Sequence, residues 1–284
     1  MNILLLFFVV AHSKLLILTS TNSQLQICQF INNQCIYPTN ITLIDNNNIF
    51  GAPYFFMNQN NFVLTVTNLK NHRPYDTIIA YDKYYKIIYT VSNRLITNAA
   101  IDGENIYAMV YNFETENTEL RILNQNKTVF IFSDCYFNKE FDFYAGIYYA
   151  AMTCYNDECY NDESYNYGIY ILNINNGSSK KIHSKNQVVA IKYNAMNQLL
   201  YVIEFDDDVG KLVLYSLSDI GKKINLLYIE TDWYIVGCGW NNYTELYCSM
   251  CTWLCPKPIT IMRYNISTGI ANYESYPNHI FGFS

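Results

Sequence analysis

A four-strand pattern recurs roughly every 45 residues after residue 48, a period expected for β-propeller blades. In the clearest copy, residues 188–193 and 198–205 are apolar runs on either side of a turn, and runs at 211–217 and 224–230 follow. Runs rich in β-branched and aromatic residues, bounded by turn-forming residues, favour strands over helices. The sequence therefore predicts an all-β protein, a five- or six-bladed β-propeller of four-stranded antiparallel blades.

The second strand of several copies carries an aliphatic residue followed by Tyr. These pairs are Ile106-Tyr107, Ile147-Tyr148, Leu200-Tyr201 and Leu246-Tyr247. The predicted blades around them span residues 49–93, 96–135, 139–185, 187–230 and 233–276. Residues 25–43 and 279–283 also have strand character, and their pairing would close the ring and remove exposed sheet edges. A β-sandwich is the alternative, but a sandwich does not require a repeated four-strand unit.

We label the strands of each predicted blade A to D in chain order. Because antiparallel strands alternate in direction, the B–C and D–A loops share one face of the propeller, and the A–B and C–D turns share the other. We call these the B–C face and the A–B face.

The amino-terminal segment resembles a signal peptide. Residues 3–11 are apolar, and a second apolar stretch at 15–18 follows His12, Ser13 and Lys14. We predict a signal peptide within residues 1–23, cleaved after Ser13, Ser20 or Ser23, and a single propeller domain over residues 24–284. An uncleaved anchor is the alternative, but the polar break at residues 12–14 disfavours a span of about 20 apolar residues. We expect a secreted protein whose mature chain has no transmembrane segment.

Sequons for N-glycosylation agree with passage through the secretory pathway. They are Asn40, Asn126, Asn176, Asn242 and Asn265. In the predicted blades the last four fall in A–B or C–D turns, and therefore on the A–B face.

The chain contains nine cysteines, and in an oxidising compartment neighbouring cysteines favour disulfides. The predicted pairs are Cys28 with Cys35, Cys154 with Cys159, Cys238 with Cys248, and Cys251 with Cys255. Cys135 is then the odd thiol, or it pairs instead with Cys154 or Cys159. Zinc bound by Cys248 and Cys251 is a competing interpretation, which an oxidising compartment disfavours.

The predicted B–C loops are acidic and aromatic, and long loops on a rigid scaffold often carry recognition. Glu114, Glu116 and the run Asp206–Asp208 belong to this set. The candidate binding residues lie in two further loops, at 155–167 and 250–258. They are Tyr155, Asp157, Tyr160, Asp162, Tyr165 and Trp253.

The sequence does not predict a catalytic centre. It lacks a Gly-x-Ser-x-Gly elbow and a His-Glu-x-x-His motif, and His72, His183 and His279 are far apart. Ca²⁺ is a possible cofactor, because Asp206, Asp207 and Asp208 supply hard oxygen ligands, although a solvated acidic turn explains the same run. The net charge of −6 disfavours nucleic acid as a partner.

Two blade starts, residues 100–107 and 193–201, resemble the D-x-x-x-N-x-L-Y pattern of YVTN/NHL/YWTD-type propellers. The resemblance extends in pattern over residues 49–276, but the Tyr-Trp-Thr-Asp tetrad is missing. It implies a propeller fold, in a group that includes extracellular binding domains and calcium-dependent lactonases. No catalytic residue of that group can be assigned to a position in this sequence.

Three functions follow as hypotheses. The first is a secreted glycoprotein that binds an extracellular protein or glycan through its B–C face. The second is a calcium-dependent propeller hydrolase similar to lactonases and esterases. The third is a structural protein of an extracellular coat.

Overall fold

The computed structural model describes residues 16–21, 24–31, 34–41, 54–58, 61–70, 73–84, 86–93, 96–155, 165–184, 186–206, 210–218, 222–229, 234–251, 259–277 and 279–283. These residues form β-strands joined by turns, with one 3₁₀ turn at Leu123–Gln125. The all-β prediction is confirmed.

The amino-terminal strands are β1 (Leu16–Thr21), β2 (Gln24–Ile31) and β3 (Gln34–Asn40). Five blades of four consecutive antiparallel strands follow. Blade 1 contains β4 (Tyr54–Asn58), β5 (Asn61–Lys70), β6 (Arg73–Tyr81) and β7 (Ile87–Asn93). Blade 2 contains β8 (Ile96–Asp102), β9 (Asn105–Asn112), β10 (Asn117–Ile122) and β11 (Lys127–Ser133). Blade 3 contains β12 (Cys135–Tyr144), β13 (Ile147–Tyr155), β14 (Tyr165–Asn173) and β15 (Ser178–His183).

Blade 4 contains β16 (Val188–Asn194), β17 (Leu199–Asp206), β18 (Lys211–Leu217) and β19 (Lys223–Ile229). Blade 5 contains β20 (Tyr234–Asn241), β21 (Glu245–Cys251), β22 (Ile259–Asn265) and β23 (Ile270–Tyr276). The last strand is β24 (His279–Phe283). Blade 3 begins four residues earlier than the predicted boundary at 139, because Cys135 already pairs with β13.

The two ends of the chain form a sixth four-stranded sheet in the order β24-β1-β2-β3, which we call blade 6. The innermost strands β4, β8, β12, β16, β20 and β24 each contact the next one around a closed ring. This arrangement confirms the propeller. Both ends of the chain join to close the ring, but residues 279–283 pair with β1 and not directly with residues 25–43, which is the pairing that the sequence predicted. The arrangement rules out the sandwich alternative, because the sheets meet around a ring instead of as two stacked layers.

The aliphatic–Tyr pairs hold adjacent blades together. Successive residues of a strand point to opposite faces of the sheet, so Leu200 packs toward blade 3 and Tyr201 toward blade 5. Leu246 and Tyr247 likewise contact blades 4 and 6. Full burial of such a side chain contributes roughly 1.5–3 kcal/mol, so the repeated pair explains why the blades associate.

Polar side chains also connect the inner ends of neighbouring blades. Asp142 of β12 accepts a hydrogen bond from the Tyr193 backbone N–H at 2.8 Å and lies 3.5 Å from the Lys192 ammonium. The Asn194 amide donates to the Tyr243 carbonyl oxygen at 2.7 Å. These bonds fix blades 3, 4 and 5 relative to one another and support the loops that each blade presents.

Candidate functional site

Three aromatic side chains lie together on the B–C face, where blade 2 meets blade 3. The ring of Tyr111 is 5.1 Å from that of Phe113 in an edge-on contact, and 5.5 Å from that of Tyr136 in a stacked contact. Phe113 is 57% exposed and Tyr136 is 46% exposed. We call these three residues the aromatic patch.

The turn between β9 and β10 holds Phe113 outward. The Asn112 side-chain oxygen accepts a hydrogen bond from the Glu114 backbone N–H at 3.0 Å, and the Asn112 amide donates to Glu119 at 3.0 Å. Glu116 closes the turn in the left-handed region, with φ 56°. Asn favours such turns because its side chain replaces a backbone hydrogen bond.

A disulfide between Cys135 and Cys154 fixes the position of Tyr136. The two cysteines lie directly opposite each other in the β12–β13 register, with Cα atoms 3.9 Å apart. The buried Thr118 hydroxyl of blade 2 donates to the Cys135 carbonyl oxygen. Tyr136 is thereby attached to both blades, and the patch has a rigid base.

Carboxylates surround the patch. Glu114, Glu116 and Asp134 are all exposed. A hydrogen bond with Tyr136 raises the pKa of Tyr111, and burial and the charges of Glu116 and Asp134 raise it further. The patch is therefore a group of three contacting aromatic rings in a negative field, an arrangement that suits a cationic ligand group.

The predicted binding loop at 155–167 begins next to the patch. Tyr136 lies opposite Thr153 in the register, and Tyr155 pairs with Tyr165 at the base of the loop. Asp157, Tyr160, Asp162 and Trp253 lie outside the described residues, so their role stays a prediction.

Sequence reasoning missed the aromatic patch. Its members come from β9, the following turn and β12, and aromatic residues are too frequent in this chain for any three to stand out. One signal was present. A B–C loop and the next D–A loop must share a face, which brings Phe113 toward Asp134 and Tyr136.

The predicted disulfides Cys28–Cys35 and Cys238–Cys248 are confirmed, with Cα separations of 5.4 and 4.2 Å. The pairing of Cys154 with Cys159 is wrong, because the register places Cys135 opposite Cys154 and the two are bonded. The alternative in which Cys135 pairs with Cys154 is therefore correct.

Cys251 is also disulfide-bonded. Its predicted partner, Cys255, lies outside the described residues, so that pairing stays a prediction. Because Cys248 and Cys251 are both in disulfides, the zinc interpretation is wrong.

The candidate calcium ligands are only partly described. The Asp206 carbonyl oxygen accepts a hydrogen bond from the Gly210 N–H at 2.8 Å, which closes the β17–β18 turn. Asp207 and Asp208 lie outside the described residues. Within the described ranges, no group of three or more His, Cys, Asp or Glu side chains could hold a metal ion.

The buried carboxylates of blades 4 and 5 have structural partners. Glu204 accepts a hydrogen bond from the Ser184 hydroxyl at 3.0 Å and pairs with the Lys223 ammonium. Glu245 accepts from the Arg263 Nε at 2.8 Å. Both carboxylates lie inside blades, away from the exposed rings.

The sequons divide between the two faces. Asn126 and Asn176 lie exposed in C–D turns, Asn242 lies exposed in an A–B turn, and Asn265 ends β22. Asn40 ends the outer strand β3 and so lies on the B–C face, where its side-chain oxygen accepts from Gln26 at 2.8 Å. Blade 6 contacts blades 5 and 1, so Asn40 is separated from the aromatic patch.

Two observations bear on the compartment. Three disulfides with both partners described are compatible with an extracellular protein. A search of the described ranges finds no helix of the length and apolarity that a membrane span requires.

No protein-family model matches the chain, and no curated protein matches it. Solved structures do. The Pyrococcus horikoshii acylaminoacyl peptidase is 11% identical with a TM-score of 0.52, over 78% of this chain and 39% of that one. The β-propeller domain of the Trilobed protease from Pyrococcus furiosus, described as having an open velcro topology, is 11% identical with a TM-score of 0.50, over 79% and 70%.

A protein from Lactobacillus plantarum is 10% identical with a TM-score of 0.50, over 95% of this chain and 98% of its own. By contrast, the chain spans only 39% of the length of the Pyrococcus horikoshii acylaminoacyl peptidase. At these identities the similarity shows the fold alone. The propeller fold that the expected resemblance implies is confirmed, but the resemblance to YVTN/NHL/YWTD-type proteins in particular is not, and the chain is similar to solved β-propeller domains.

Proposed function

We propose that the protein is a secreted glycoprotein that binds an extracellular partner through its B–C face. The exposure of the aromatic patch carries this proposal. Phe113 and Tyr136 leave large apolar surfaces in water. Aromatic anchors on a rigid base are typical of binding hot spots, where their burial drives association.

The charge around the patch supports a protein partner with a basic segment. A Lys or Arg side chain over a Tyr or Phe ring gains roughly 0.5–1 kcal/mol at an exposed site. Glu114, Glu116 and Asp134 add attraction that also steers the encounter. A glycan is the second candidate, because the flat exposed rings of Phe113 and Tyr136 can stack on a sugar ring without any charge.

A direct binding assay separates these candidates. The purified full chain is tested by biolayer interferometry against a Lys-Gly repeat peptide, a Glu-Gly peptide of equal length and cellotetraose. A basic protein partner predicts saturable binding to the Lys-Gly peptide alone, weakened by salt. Salt-independent binding to cellotetraose alone supports the glycan, and binding to none of the probes contradicts the proposed chemistry.

A matched pair of variants tests which face of the propeller binds the partner. Phe113 and Ile270 are each 57% exposed, but Ile270 follows a C–D turn on the A–B face. Phe113→Ala should weaken binding at least tenfold, as truncation of a hot-spot ring does. Ile270→Ala should leave it unchanged. Equal effects of the two substitutions would reject the B–C face as the binding surface.

A further inference from the structure

The strand β1 lies inside the segment that the sequence assigns to a signal peptide, yet it is part of the propeller. On one side it pairs with β2, with Ile17 opposite Cys28. On the other side it pairs with β24, with Ile17 opposite Phe283 and Ser20 opposite His279. It is therefore an interior strand of blade 6 and not an edge strand.

The closure of the ring depends on this strand. Among the described strands, β24 has one hydrogen-bonded neighbour, β1. Without β1, strands β24 and β2 would lie two strand spacings apart, roughly 9–10 Å, which is too far for backbone hydrogen bonds. The facing N–H and C=O groups of both strands would lose their partners in the ladder, which would weaken the closure of the ring.

The three candidate cleavage sites differ in what they do to β1. Cleavage after Ser20 removes all of β1 except Thr21, and cleavage after Ser23 removes the whole strand. Cleavage after Ser13 leaves the strand complete. The structure therefore distinguishes the three candidate cleavage sites, whereas the length of the apolar segment is compatible with all of them.

The sequence at Ser13 fits the requirement for small residues at a signal cleavage site. Ala11 and Ser13 stand at the third and first positions before the bond, as in an A-x-A-like site. At Ser20 the corresponding third position is Leu18, a large residue. Residues 3–10 before the site also form an apolar core of suitable length.

We propose that a signal peptidase removes the leader between Ser13 and Lys14, so that the mature chain begins just before β1. Water hydrolyses the peptide bond, leaving a carboxylate on Ser13 and a free amine on Lys14. This inference rests on the secretory leader of the proposed function and goes beyond the binding face. It assigns residues 16–21 to the folded propeller instead of to the discarded peptide.

Mass spectrometry of the secreted protein tests the proposal. The full chain with a carboxyl-terminal tag is expressed in secreting eukaryotic cells, and the amino-terminal peptide is sequenced from the medium. The expected first residue is Lys14. A secreted chain that begins at Thr21 or Gln24 overturns this inference alone, whereas a cell-retained chain that still begins at Met1 overturns the secreted state as well.

A second experiment tests the structural basis directly. A leader with a known cleavage position is fused ahead of Lys14 in one form and ahead of Gln24 in another. The form that starts at Lys14 should be secreted with at least tenfold higher yield and should melt at a higher temperature. Equal yields and melting temperatures would show that β1 is dispensable and would overturn the proposal.

Discussion

The A–B face turns and the blade 2 turn of the B–C face are both closed by Asn side chains but differ in the residues beside those Asn side chains. On the A–B face, Asn173, Asn194 and Asn265 occupy equivalent turn positions. Their side-chain oxygens accept backbone N–H groups at 3.0 Å, from Asn175, Met196 and Thr268 respectively. Each of these side chains stabilises its own turn. The sequons at Asn176 and Asn265 belong to turns of this kind.

The described part of the B–C face is built in a different way. Asn112 also closes its own turn, but the residue beside it is Phe113, which the turn does not need. Tyr136 lies next to a disulfide and a buried Thr118 contact, and both hold it in an exposed position. The blade 2 turn therefore adds an exposed aromatic ring beside an Asn that closes the turn, and a second exposed ring, Tyr136, lies across the junction with blade 3.

The largest effect is expected from removing the disulfide below the patch. Cys135→Ser with Cys154→Ser should cost roughly 2–5 kcal/mol of unfolding free energy, because the unfolded chain gains freedom. It should also weaken binding of the Lys-Gly peptide. Denaturant unfolding under non-reducing conditions and interferometry measure the two effects.

The matched control is Cys238→Ser with Cys248→Ser in blade 5. Its sequence separation is 10 residues against 19, so its cost should be smaller by about 0.6 kcal/mol. It should leave binding unchanged. Loss of binding in this control as well would mean that general destabilisation, and not the patch, explains the first result.

Substitution of a buried carboxylate should lower the unfolding free energy, whereas substitution of an exposed carboxylate at the patch should mainly weaken binding. Glu204 is 2% exposed and pairs with Lys223 and Ser184, so Glu204→Gln should cost about 1–3 kcal/mol of unfolding free energy. Glu114→Gln should change stability by less than about 0.5 kcal/mol. It should weaken binding of the Lys-Gly peptide about twofold to fivefold at low salt.

Denaturant unfolding and interferometry on both variants check this contrast. A stability loss in Glu114→Gln comparable to that in Glu204→Gln would contradict the assignment of Glu114 to a surface role.

The pH dependence of stability should reflect Glu245. Burial acts to raise its pKa, but hydrogen bonds from Arg263 and Asn241 and the Arg263 charge outweigh burial, so the net pKa lies below the usual 4.5. A lowered folded-state pKa adds stability above the unfolded pKa, and this stability is lost as pH falls through the folded-state value. Glu245→Gln should therefore be destabilised at pH 7 and approach the wild type at pH 3. A constant difference between the two proteins across this range would contradict the pairing.

A small effect on stability and none on binding are expected at an A–B face turn. Asn173→Ala removes the side-chain acceptor for the Asn175 and Asn176 N–H groups and should cost about 1 kcal/mol of unfolding free energy. Binding should not change. A binding defect at wild-type stability would show that the A–B face also contacts the partner.

The fold was predictable because the aliphatic–Tyr pair repeats in strands that each blade buries between two neighbours. The sequence did not decide the partner of Cys135. The spacing of the cysteines indicates which strand ends lie on the same face, but only the strand register places Cys135 opposite Cys154. The segment containing β1 was assigned to the leader because an interior strand and a leader share the same apolar composition. The aromatic patch could not be predicted, because it forms only where blades 2 and 3 meet and its residues come from separate segments of the chain.

Hydrogen–deuterium exchange of the full chain with and without the Lys-Gly peptide tests the central claim most directly. We predict slower exchange in peptides covering residues 111–117 and 134–137 when the ligand is bound. Peptides covering the A–B face turns at 173–177 and 265–270 should not change. Protection of those turns, with none at residues 111–117, would contradict a binding site on the B–C face.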